Sequence, residues 1–287
     1  MDFPFKTTIP SKVKLAVFPL AIIFALLGFL IFGRPDGRLH VSFCDVGQGD
    51  AIFLQTPKGR DILIDGGPDA KVLDCLSGKM PFYDRTLELM VLTHPQADHL
   101  VGLIEVLKRF KVEKILTTSA TNNTPEFEAW QKAQSSKKAE VWQAKKGQKI
   151  ALEDNFGGEI LWPPDLFFTD EINDTSIVLK INYFDFCLLL TGDAGKPVWL
   201  NFSSSGALNR CFLLKVPHHG SKNAIDEVLL SQVAPKIAVI TVGKNNHFGH
   251  PSQEVLDLLK KYGVKILRTD EKGTIEIVSD GKKWWLK

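Results

Sequence analysis

The sequence predicts a layered α/β protein, with two central sheets flanked by helices, preceded by one membrane-spanning helix. Three observations carry this. Short apolar strand-like runs alternate with amphipathic helical stretches in both halves of the 287-residue chain, the pattern of sheets covered by helices. Six of the seven histidines follow strand-like runs, so polar groups gather at strand ends. Leu15–Phe32 is a run of 18 residues without a charge, close to the roughly 20 apolar residues that span a bilayer.

Lys6, Lys12 and Lys14 precede that run, and Arg34 and Arg38 follow it. A cleaved signal peptide has a shorter apolar core, of roughly 7–15 residues, and ends on small residues. This run is longer and ends FLIFGRPDG. It reads as an uncleaved anchor over 15–32, after a cytoplasmic segment 1–14 and before a linker 33–38. Three lysines against two arginines favour a cytoplasmic N-terminus and an extracytoplasmic domain over 39–287. The first 38 residues hold five of the 35 basic and two of the 33 acidic residues, leaving 30 basic against 31 acidic. Global charge therefore gives no support for nucleic-acid binding, whose usual footprint is a basic face.

After the anchor, LHVSFCDV, AIFLQTP, RDILIDGG and TLELMVLTH read as strands. HLVGLIEVLKRF has helical spacing and begins just after Asp98. VEKILTT is a further strand, and the lysine-rich stretch 118–149 reads as a solvated loop and helix face. TSIVLKINYFDFCLLLTGD predicts a hairpin turning near NYFD. CFLLKVPHHG is a strand entering a loop, AIDEVLLSQV a helix, KIAVITVG a strand and SQEVLDLLKKYG a helix ending at Gly263. KILRT, TIEIVS and KWWLK close the chain as strands. Cys44, Cys75, Cys187 and Cys211 read as small buried hydrophobes, with a disulfide open but not fixed by spacing.

His94/His99, His218/His219 and His247/His250 form three clusters, each beyond an apolar strand, and Asp65 and Asp193 occupy the same kind of position. Strand ends in a layered α/β fold share an edge, so these groups can converge on one site. Imidazole nitrogen with carboxylate oxygen suits Zn²⁺ or Mn²⁺. A carboxylate shared by two such ions holds them close, and Asp193 is the natural bridge.

THPQADH resembles the H-x-H-x-D-H signature of the metallo-β-lactamase superfamily. Together with DVGQGDA, LLTGDA, VPHHGS and NNHFGHPS it is similar to the hydrolase domain of the ComEC competence proteins, from about His40 to the end. The resemblance implies an αββα sandwich with a metal site at one edge of two sheets. It also implies a nuclease role, degrading one strand of incoming DNA. On it, His94 and Gln96 match first-metal ligands, Asp98 and His99 match second-metal ligands, and Asp193 matches the bridge. His218 is favoured for the remaining second-metal ligand, with His219 the close alternative. Asp65 and Asp50 match residues that support the ligands from behind. Ser221, His247 and His250 are expected to face the substrate, with Asp98 and His250 catalytic. The other reading of His250 is a cap for the helix starting near Pro251.

Two departures matter. Gln96 stands where the signature has histidine, and no histidine lies between His99 and His218. Asn173 and Asp174 are the nearest substitutes. This implies one tight site, from Asp98, His99, Asp193 and His218 or His219, beside a weak oxygen-rich one. The resemblance also implies a multi-helix channel that a single spanning run cannot form, so DNA uptake would need separate channel subunits. A hydrolase of another ester, lactone or β-lactam, or a non-catalytic accessory subunit, is the alternative on the same fold.

Overall fold

Side-chain alternation decides the layers. In Thr86–Leu92, Leu89 and Val91 face one way and Met90 and Leu92 the other, as the two-residue period of a strand requires. In the computed structural model, which describes residues 35–165, 167, 169–202 and 208–287, the first pair packs between two sheets and the second beneath helices. Residues 1–14, the anchor run 15–32 and the first part of the 33–38 linker lie outside the described residues. Among the described residues, no helix is long and apolar enough to cross a membrane.

The strands in chain order are β1 (Leu39–Phe43), β2 (Ile52–Gln55), β3 (Asp61–Ile64), β4 (Thr86–Leu92), β5 (Lys111–Thr117) and β6 (Glu140–Gln143). Next come β7 (Lys149–Glu153), β8 (Phe156–Trp162), β9 (Val178–Tyr183), β10 (Phe186–Leu190) and β11 (Leu213–Lys215). The last are β12 (Ile237–Ile240), β13 (Lys265–Arg268), β14 (Ile275–Ser279) and β15 (Trp284–Leu286). One sheet has the order β15-β14-β1-β2-β3-β4-β5-β6, the other β13-β12-β11-β10-β9-β8-β7. Helices α1 (Val72–Lys79), α2 (Ala97–Arg109) and α3 (Pro125–Ser135) cover the first sheet. Helices α4 (Lys196–Leu200), α5 (Glu227–Val233) and α6 (Gln253–Lys261) cover the second. The result is the expected αββα sandwich. A short α7 (Thr269–Lys272) precedes β14.

Strand direction sets where the site lies. β3, β4 and β5 are mutually parallel, as are β10, β11 and β12. The residues following β3, β4, β10, β11 and β12 therefore emerge on sheet edges where side chains can converge, the usual location of ligand sites in α/β sheets. The hairpin of β9 and β10 turns at Phe184–Asp185, as expected from NYFD.

Three elements differ from the sequence reading. Helix α2 begins at Ala97 rather than after Asp98, with Gln96 extended at its N-cap, which brings Asp98 and His99 into the first turn. The helix can start this early because Gly66 and Gly102 allow close approach. A Cβ on Gly102 would run into the Gly66 carbonyl, and Gly66 N–H donates to the His99 carbonyl at 2.7 Å. The stretch 118–149 is only partly solvated: α3, capped by Thr124 Oγ1, buries Phe127 and Trp130 under the first sheet. The cysteines are not merely small hydrophobes, since Cys44–Cys75 and Cys187–Cys211 are disulfides with Cα separations of 5.9 and 4.7 Å.

Candidate metal centre

Asp65 follows β3, His94 follows β4, and Asp98 and His99 occupy the first turn of α2. Asp193 follows β10, and His218 and His219 follow β11 in the short 3₁₀ segment Pro217–Gly220. Asp65, His218 and His219 all take left-handed backbone, with φ of 57°, 45° and 52°. For residues with a Cβ this costs on the order of 1–3 kcal/mol each and clusters at functional sites.

One ligand atom each from Asp98, His99, Asp193 and His219 falls within 4.8 Å of the others. His99 Nε2 is 3.4 Å from Asp193 Oδ2. His219 Nε2 is 3.4 Å from both Asp98 Oδ2 and Asp193 Oδ2. The sequence favours His218 for this place, and the geometry brings His219 into it. His219 is fully buried, and its ring is fixed by Nδ1 donating to the Thr241 carbonyl at 2.8 Å. His218 is 30% exposed, has Nε2 4.0 Å from Asp193 Oδ2, and packs its ring 5.6 Å from that of His250.

Three imidazoles are held with Nε2 turned to the cluster. His99 donates from Nδ1 to Asp65 Oδ2 at 2.8 Å. Thr93 spends its hydroxyl proton on Asp65 Oδ2 at 2.7 Å, so at 3.1 Å it can only accept from His94 Nδ1. His219 is fixed by the Thr241 carbonyl. The Nε2 atoms of His94, His99 and His219 and both carboxylate oxygens of Asp193 are buried without a hydrogen-bond partner. Leaving such groups unsatisfied costs about 1–3 kcal/mol each. Donors to a cation arranged in this way fit a divalent ion, and their mixed nitrogen and oxygen character suits zinc or manganese.

Electrostatics agree. Burial presses the His99 and His219 pKa values down, but the carboxylates led by Asp193 outweigh it, raising His99 well above the imidazole range and His219 to about 10. The pocket thus demands positive charge at these nitrogens. For Asp98 and Asp193 burial raises the pKa, and the facing imidazoles overcome it and hold both below the carboxylate range. Burial and the neighbouring His99 push His94 down to about 3, so it is a neutral donor. Burial, with His218 and His219 nearby, lowers His250 to about 4.

The remaining expected residues sit around this centre. Asp50 is buried and pairs with Lys215 Nζ and the Thr241 hydroxyl, a support behind the ligands. Gln96 caps α2 through its backbone, without a side-chain cap bond. Asn173 and Asp174 lie in the 3₁₀ turn Ile172–Thr175, where Asp174 accepts from Gly195 N–H at 2.9 Å. Ser221 ends the Pro217–Gly220 segment, half-buried, and His247 is exposed. His250 does not cap α6: Ser252 Oγ accepts from Val255 N–H in that role. Lys215, absent from the expected site residues, is fully buried with Nζ 3.5 Å from Asp193 Oδ1. Its signal was a lysine inside the apolar run CFLLKV.

A family model described as the metallo-beta-lactamase superfamily matches residues 44–244. The chain is 30% identical over 276 residues to ComE operon protein 3 of Bacillus subtilis (strain 168), covering 86% of this chain and 34% of that protein. It is 27% identical over 268 residues to competence protein ComA of Neisseria gonorrhoeae, covering 90% of this chain and 35% of that protein. The chain thus spans about a third of the length of these curated relatives. Among solved structures, the metallo-beta-lactamase fold protein YhfI from Bacillus subtilis is similar with a TM-score of 0.53 and 14% identity, over 80% of this chain and 95% of that one.

Proposed function

This chain belongs to the metallo-beta-lactamase superfamily of hydrolases, and from that premise we propose that it is a metal-dependent phosphodiesterase acting on DNA during DNA uptake. The observation that carries the reading is the buried cluster of Asp98, His99, Asp193 and His219, with imidazole Nε2 atoms already turned inward. Names of relatives such as competence protein ComA support the biological setting.

Asp98, His99, Asp193 and His219 would hold the tight ion, and His94, Asp193 and the Gln96 amide a weaker one. When bound, a divalent ion supplies Lewis-acid polarisation and a more acidic attacking water at neutral pH. Asp98, the most exposed of the four at 30%, would be the carboxylate nearest solvent and would take up a proton there. His250, neutral at pH 7 and meeting His218 edge-on, donates a hydrogen bond to the phosphate. Asp65, Thr93 and the Thr241 carbonyl keep the imidazoles in one tautomer through the reaction.

We place the hydrolase unit outside the cytoplasm, tethered by Leu15–Phe32, with separate channel subunits as partners. The two disulfides support this side of the membrane, because such bonds persist in oxidising compartments. Assays of the purified full chain on single-stranded DNA, duplex DNA, a cyclic dinucleotide, a lactone and a β-lactam, each with Mn²⁺ and with Zn²⁺, test the reading. Metal-dependent cleavage of single-stranded DNA is expected. Turnover of the lactone or β-lactam alone would overturn it.

A further inference from the structure

A row of rings leads from solvent to the candidate centre. Phe248 is 56% exposed, on the loop between β12 and α6. Its ring stacks on His250, with centroids 5.7 Å apart and planes 24° apart, and its centroid lies 4.0 Å from that of His247. His250 in turn meets His218 at 5.6 Å, and His218 meets His219 at 6.2 Å. An exposed phenyl ring costs solvation, and a mobile loop would let it fold away. This loop is held. Asn246 Nδ2 donates to the Gly243 and His250 carbonyls at 3.0 and 2.7 Å, and its Oδ1 accepts from the Phe248 and His250 N–H groups at 3.2 and 3.1 Å.

Beside the row runs a groove of about 330 Å³ lined by Gln48, Lys71, Lys244, Asn246 and His247, with Asp45 as its acidic member. Lys71 and Lys244 are exposed, and Lys71 keeps a loose pair with Asp69 at 3.5 Å. Flat rings beside a cationic groove are what a single nucleic-acid strand requires: bases stack on aromatic faces while the backbone tracks positive charge. A duplex keeps its bases stacked internally and cannot use such rings.

We propose that Phe248, flanked by His247 and His250, is a base-stacking platform that makes single-stranded DNA the preferred substrate, with Lys71 and Lys244 guiding its backbone. Phe248 is then a specificity residue and Asn246 a positioning residue. The proposal rests on the phosphodiesterase reading above, but binding tests it separately from cleavage.

The experiment uses the full chain and two fluorescent probes, a 12-nucleotide phosphorothioate oligo-dT that resists cleavage and an abasic strand of equal length. F248A should weaken oligo-dT binding about 5- to 150-fold, the range for one lost base–aromatic stack. F248W should restore it, and neither change should alter abasic binding. Substituting Lys71 and Lys244 by Gln should flatten the salt dependence of binding to both strands. Equal oligo-dT affinity in F248A and the native chain, or equal native affinity for both strands, would overturn the platform. Phe248-dependent binding without cleavage of an ordinary strand would leave the platform standing and overturn the phosphodiesterase reading.

Discussion

The Nδ1 of His99 lies 2.8 Å from Oδ2 of the Asp65 carboxylate, both fully buried. This one bond decides which nitrogen of His99 faces the cluster. Asp65 also accepts from the Thr93 N–H at 2.8 Å and the Thr93 hydroxyl at 2.7 Å, so it indirectly orients His94 as well. Removing such a support behind a metal ligand typically costs about 10–100-fold in metal affinity. D65A is expected to lose affinity in that range while keeping its far-ultraviolet circular dichroism. Unchanged affinity by competition titration would mean that Asp65 does not orient the ligands.

On the proposed ligand sets, Gln96 would leave the first site short of an imidazole. With only His94, Asp193 and an amide oxygen as donors, a second ion is expected to bind weakly. Q96H should tighten that second ion and shift preference towards zinc, because nitrogen donors favour it over manganese. Isothermal titration of both proteins with Zn²⁺ and Mn²⁺ reads this. Two equally tight ions in the native chain would refute the asymmetry.

Away from the centre, Glu276 on β14 links His40 Nδ1 at 2.8 Å and Lys79 Nζ at 2.6 Å. Burial opposes its ionisation, but His40 and Lys79 prevail and lower its pKa from 4.5 to about 2. A carboxyl depressed on folding adds stability that is present above its unfolded pKa and lost as pH falls through its folded pKa. Stability should therefore fall between pH about 4.5 and about 2. E276Q should cost about 1.5–3 kcal/mol at pH 7, the range for a charged hydrogen bond, and flatten that acid limb. Urea titrations across the window measure both, and an unchanged slope in E276Q would assign the acid loss to other groups.

Much of the candidate site was legible because strand ends are. Asp65, His94 and Asp193 each follow an apolar run that can only be a strand, and parallel strands deliver their ends to one edge. The choice between His218 and His219 was not legible. They are adjacent, both left-handed, and separated only by the Thr241 carbonyl that captures the second ring. That carbonyl belongs to a strand end 22 residues away. Lys215 and Asp50 were obscure for the same reason, since their pairing joins segments 165 residues apart that only the closed sandwich brings together. The two disulfides depend on sheet and helix packing that Cys spacing does not encode. Helix α2 was expected to start too late because nothing in THPQADH says that Gly66 and Gly102 let its first turn sit against the β3 loop. The expected anchor over 15–32 falls outside the described residues.

Metal content per chain in the native protein, H218A and H219A, determined by mass spectrometry after dialysis against metal-free buffer, tests the central claim most directly. The geometry has His219 completing the ligand set and His218 standing beside it. The native protein and H218A should each retain about one divalent ion, and H219A should lose that ion. Loss of the ion from H218A with its retention in H219A would contradict the account.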